Sequence, residues 1–232
     1  MTSSSNAPAA IGFHVQPEFH PVPLPADSDS GTDNAGEDFD ARMRGFARDY
    51  WGEAEEREPL RRLTAALHGA TSQQLAGQGT VYHALGVFPI GGNPDGTLTP
   101  ERVSRCTLTV SVRDLDNPDP HLSAAGIAET LGHGQDGGEV QLVSLPAGPA
   151  VVHIAGSRAV WQLTDGEQER FFVRVEVWLP FPRDDRILLL CLSTADVQDL
   201  FHYQAVLADI ADTVSFGDAV PDGDAPRART FG

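Results

Sequence analysis

Apolar residues recur at two different periods along this chain. Phe39, Met43, Phe46 and Tyr50 are spaced i, i+4, i+7, i+11, with Asp40, Arg44 and Arg48 between them. That spacing predicts an amphipathic helix. After the charged run GEAEEREP, Pro59 suits the first turn of a second helix, whose predicted buried side is Leu60, Leu63 and Leu67, with Leu75 beyond. The two helices are expected to form a hairpin against a sheet.

From residue 80 the period shortens to two. Residues 80–88 (TVYHALGVF) read as a strand. In the next strand Cys106, Leu108, Val110 and Val112 alternate with Thr107, Thr109, Ser111 and Arg113, the signature of a half-buried element. A helix is predicted near residues 122–131, then short antiparallel strands at 140–145, 151–154 and 159–163 joined by tight turns. In residues 171–179, Phe171, Val173, Val175, Val177 and Leu179 share one face, while Phe172, Arg174, Glu176 and Trp178 share a wetter one. Residues 187–192 are apolar throughout, so they belong to a central strand covered on both sides. Ser193, Thr194 or Asp196 is expected to cap a last helix, in which Leu200, Tyr203, Leu207, Ile210 and Val214 pack on the sheet. Residues 11–25, rich in proline, read as an extended edge element. The expected fold is α+β: a largely antiparallel sheet of six to seven strands sandwiched by helices, in one domain over residues 11–217, with disordered ends at 1–10 and 218–232.

Composition narrows the chemistry. All 16 basic residues are arginine, and the missing lysine rules out a Walker A phosphate loop, a pyridoxal Schiff base and a kinase-type nucleotide site. A net charge of −17 argues against nucleic acid, which is held mainly by cationic side chains. The longest apolar run, 187–192, is far shorter than a membrane helix, which takes ~20 residues. Together with an N-terminus that has no basic start, it points to a cytoplasmic protein without membrane insertion. Cys106 and Cys191 sit inside strand patterns and are expected to be buried thiols.

Candidate sites weaken on detail. In the acidic loop 26–38, Asp27, Asp29, Asp33 and Asp38 fall at calcium-loop positions 1, 3, 7 and 12, but Thr32 replaces the sixth-position glycine and no helix precedes. The eight histidines include no HExxH or HxH spacing and the chain has no CxxC, so no metal site is expected; a zinc site assembled from scattered strands is the alternative set aside. AGSRA and CLSTA lack the second glycine of a nucleophile elbow. Glu167 and Glu169 carry no diagnostic value in so acidic a chain, and GHGQDGG and IGGNPDG read as turns.

Residues 145–151 (LPAGPAV), the strand pair VEVWLPFP and RILLLCLSTAD, and the ending IADTVSF together resemble an uncharacterised actinobacterial protein family. Ala195 stands where that group often has proline. The closing strand and helix are similar to the fold shared by the PsbP subunit of photosystem II and a family of Ran-binding transport factors. This resemblance implies a PsbP-like sandwich used as a binding module without catalytic residues or cofactors, and it carries over no functional residue. The expected function is therefore non-catalytic protein binding, as an adaptor, chaperone or accessory subunit, for example of a specialised secretion or assembly system. The partner is expected at Trp178, Arg174, Phe181 and Arg183, an aromatic anchor beside arginines. The competing reading of Trp178 is coverage by the helix hairpin. The alternative function is a carrier or enzyme with a pocket for a small apolar ligand.

Overall fold

Strand β8 (Arg186–Thr194) lies at the centre of a seven-stranded antiparallel sheet, as its two-sided apolar sequence requires. The computed structural model describes residues 10–25, 35–91, 99–134, 137–163, 166–182 and 184–217; the expectations for 1–9, 26–34 and 218–232 lie outside them. Across the sheet the order is β2 (Phe19–Pro21), β3 (Thr80–Ile90), β4 (Arg102–Asp114), β8, β7 (Gly166–Pro180), β6 (Gly148–Leu163) and β5 (Glu139–Leu145). A separate pair joins β1 (Ala10–Gly12) to β9 (Ser215–Gly217). The helices are α1 (Ala35–Trp51), α2 (Glu58–Ala76), α3 (Pro120–Gly132) and α4 (Leu200–Asp212). The α+β expectation holds, with helices packed on the sheet.

The two faces of the sheet differ chemically. One carries Leu108, Val110, Val175, Val177, Leu179, Leu188, Leu190 and Leu192, all buried in one core beneath Tyr203, Leu207 and Ile210 of α4. This is the stripe expected for the last helix. Gly86 is part of that face because nothing larger fits: a Cβ there would stand 2.5 Å from Cys106 Sγ and 2.9 Å from the Phe19 ring. Gly86→Ala is therefore expected to cost about 1–3 kcal/mol by overpacking, measurable as a lowered urea midpoint; an unchanged midpoint would mean that Phe19 and Phe88 move aside freely.

The other face is polar at its centre. Strand register brings His83, Thr109, Cys191, Glu176 and His153 into one row across five strands. The α1/α2 hairpin covers one flank of this face, with Phe39, Met43, Phe46 and Val22 in a second core that reaches Leu85. At the other flank α3 packs on β5, β6 and β7, where Val151, His153 and Ala155 are buried.

Three expectations are corrected. Residues 151–154 and 159–163 form one strand, β6, because residues 155–158 continue the pairing with β7. Gly156 is not a turn but packing space, since a Cβ there would meet Phe171 Cζ at 2.4 Å. The expected helix cap is absent. Thr194 Oγ1 donates to the Arg105 carbonyl, and the Asp196 carboxylate accepts from the Arg105 N–H at 2.7 Å and from the Ser104 hydroxyl, so these residues fasten β8 to β4. The helix starts after a 3-10 turn, Val197–Asp199, without a side-chain cap.

The third correction concerns α2, where Leu60, Leu63 and Leu67 are 42%, 65% and 59% exposed. Polar ties orient the helix the other way. Trp51 Nε1 donates to Thr64 Oγ1 at 2.8 Å, and Arg61 donates to the Gly52 and Ala54 carbonyls in the turn that follows α1. Gly52, at φ 76°, supplies the left-handed residue that stops α1 there. Thr64, Ala65, His68 and Ser72 therefore face inward, and the leucines face out.

Candidate functional site

The residues expected to meet a partner are divided by the fold. Arg174, Glu176 and Trp178 do lie on the polar face of β7, but Trp178 is half-buried and its Nε1 donates to Glu176 at 3.2 Å. Phe181 is 1% exposed, in the opposite core, in a tilted ring contact with Phe216 and with the Arg186 guanidinium over its ring. Arg183 lies outside the described residues.

Glu176 is the centre of a buried polar group that the sequence reading missed. It is 5% exposed, accepts from His153 Nδ1 at 2.9 Å, lies 3.7 Å from Arg174 and 4.0 Å from Cys191 Sγ. His153 Nε2 is buried without a hydrogen-bond partner. A carboxylate behind an imidazole is the arrangement that orients a general base. Here the imidazole is itself enclosed, 4% exposed, so its geometry is that of a structural pair. Burial pushes the Cys191 thiol up to about 12, with Glu176 adding to the effect, and burial likewise raises Cys106 to about 12. Both are free thiols on opposite faces of the sheet and poor nucleophiles at neutral pH.

Between the two helical covers, the floor over β4 and β8 is made by Thr107, Thr109, Cys191 and Ser193, all half-buried. Its end toward the hairpin opens into a cleft of about 430 Å³. Tyr50 and Trp51 form its wall from α1, Thr64 and His68 from α2, and Phe172 stands across from them on β7. Among the described residues, no group of three or more His, Cys, Asp or Glu could hold a metal ion, and no helix is long and apolar enough to cross a membrane.

The outer face of α2 is the other candidate. Leu60, Leu63, Leu67 and Ala70 are exposed at spacings of three, four and three, the rhythm of a helix-packing seam. Glu53, Glu55 and Glu56 are exposed just before it. The spacing was visible in the sequence; what could not be read was which face the Trp51–Thr64 and Arg61 ties would turn outward. No protein-family model and no curated protein matches the chain.

Proposed function

We propose that this protein is a non-catalytic binding module whose partner is another protein, engaged through the outer face of α2. The observation that carries this reading is the row Leu60, Leu63 and Leu67, three large apolar side chains exposed in line on a helix tied from beneath by the Trp51–Thr64 bond. Isolated exposed leucines are ordinary, whereas a contiguous seam marks an interaction surface. The three-four spacing fits a partner helix laid along α2. The acidic lead-in at Glu53, Glu55 and Glu56 and the overall charge of −17 favour a basic rim on that partner and disfavour nucleic acid. A role as adaptor or accessory subunit, in the manner of the PsbP-like modules that the sequence resembles, is consistent with such a surface.

The test pairs sedimentation with crosslinking. Leu63→Glu combined with Leu67→Glu is expected to leave stability within about 0.5 kcal/mol, because both sites are exposed. A photocrosslinker at position 67 is expected to capture a different protein in the source cells, and the double variant to lose it. A homodimer of the purified chain that the double variant dissociates would give the seam to a second copy and overturn the reading.

A further inference from the structure

The cleft beside α2 has a chemistry distinct from the surface around it. In a chain with 33 acidic and 16 basic residues, no acidic side chain lines it, while Arg105 and His68 do. Its walls are the rings of Tyr50, Trp51 and Phe172, and its floor offers the hydroxyls of Thr107 and Ser193. At about 430 Å³ it falls in the range of small-molecule sites, which run from roughly 300 to 1,000 Å³. We infer that this cleft binds a small planar aromatic carboxylate, with the ring between the aromatic walls and the carboxylate at Arg105.

Of two nearby sources of negative charge, one is offset by arginines and the other is anchored by hydrogen bonds while keeping its charge. The carbonyl end of α1 would repel an anion, but Arg57 bonds the Trp51 carbonyl and Arg61 bonds those of Gly52 and Ala54. The Asp196 carboxylate, close to Arg105, accepts that residue's own backbone N–H and the Ser104 hydroxyl. The Arg105 side chain is exposed at the rim, and its guanidinium pairs with no carboxylate among the described residues. A guanidinium beside aromatic faces favours a flat anion over a compact one such as phosphate, because the ring adds stacking and apolar burial to the charge contact. Burial holds His68 below its ordinary pKa, which leaves a neutral imidazole in the wall and Arg105 as the fixed charge.

The experiment is calorimetric titration of the full chain at neutral pH with three molecules of the same ring system: 2-naphthoate, 2-naphthalenemethanol and 2-naphthylmethylammonium. The expected result is saturable binding of the naphthoate, with the alcohol and the ammonium weaker by roughly tenfold or more. Arg105→Gln is expected to weaken naphthoate binding to the level of the alcohol without moving the thermal midpoint, since the side chain is exposed. Trp51→Phe, which keeps a ring but loses the bond to Thr64, serves as a second variant and is expected to weaken all three molecules alike. Absence of saturable naphthoate binding, equal binding of the three molecules, or indifference to Arg105→Gln would each overturn the assignment. Naphthoate binding is expected to survive Leu63→Glu, which keeps this site separable from the seam on α2.

Discussion

Glu176→Ala is expected to remove about 3–5 kcal/mol of stability, the usual cost of deleting one partner of a buried charged group. The carboxylate is 5% exposed and collects His153 Nδ1 at 2.9 Å and Trp178 Nε1 at 3.2 Å, with Arg174 at 3.7 Å. Removing it leaves His153 Nδ1 and Trp178 Nε1 without their acceptor, and each buried group without a partner costs about 1–3 kcal/mol. The measurement is equilibrium unfolding in urea of Glu176→Ala, His153→Ala and the double variant. The double variant should lose clearly less than the sum of the singles, since deleting both partners leaves fewer orphaned groups. Additive losses would show that His153 and Glu176 do not act as a pair, and a loss under 1 kcal/mol for Glu176→Ala would show that water reaches the site.

Acid is expected to loosen the opposite flank of the same face. His83 is 3% exposed, with Nδ1 at 3.3 Å from the Leu108 carbonyl and Nε2 buried without a partner. Its ring centroid lies 6.3 Å from that of His68, which also has an unpartnered buried nitrogen, and Ser72, one turn further along α2, buries an unpaired hydroxyl. Burial lowers the His83 pKa from 6.5 to about 4, with His68 acting in the same direction and the Leu108 carbonyl against it. The sign follows from proton counting. Between about pH 6.5 and pH 4 the unfolded chain holds this proton and the native one does not, so stability is full above 6.5 and falls as the pH drops toward 4. The loss attributable to His83 reaches about 3 kcal/mol at the lower end. Urea midpoints measured across that window should slope downward with acid, and His83→Gln, which keeps a donor for Leu108, should flatten the slope. An unchanged slope in the variant would assign the acid sensitivity to other groups.

Alternation made the strands legible, and it failed where packing rather than periodicity decides. The parity of residues 171–179 correctly separates Val173, Val175 and Val177 from Arg174, Glu176 and Trp178. The two-residue connection between Leu163 and Gly166 would have fixed the register as well: counting back from that pair places His153 opposite Glu176 and Val151 opposite Trp178. Reading Gly156 as a turn broke the strand and hid that count. Phe181 continues the odd-numbered series of Val173, Val175, Val177 and Leu179 past Pro180, so parity carried one step further would have placed it in the core. On α2 the leucine stripe suggested burial because hydrophobicity is the usual guide, whereas one tryptophan–threonine bond and one arginine across the hairpin set the orientation. Such long-range polar ties leave no periodic trace. The cleft was illegible for a related reason, since its lining comes from α1, α2, β3, β4, β7 and β8 and meets only in the folded chain.

Within the seven-stranded sheet, every pairing but one joins strands consecutive in sequence; the exception is β4 with β8. That seam sets a schedule for synthesis. As the chain leaves the ribosome, β2, β3 and β4 can pair at once, but the open side of β4, with Leu108 and Val110 beside it, must wait for β8, which emerges only after α3 and three further strands. At ordinary translation rates of about 5–20 residues per second, the delay lasts seconds. For that interval the nascent protein carries an uncapped strand whose apolar neighbours invite pairing with other chains, so the step most exposed to misfolding in the cell is the arrival of the last strand at the centre of the sheet.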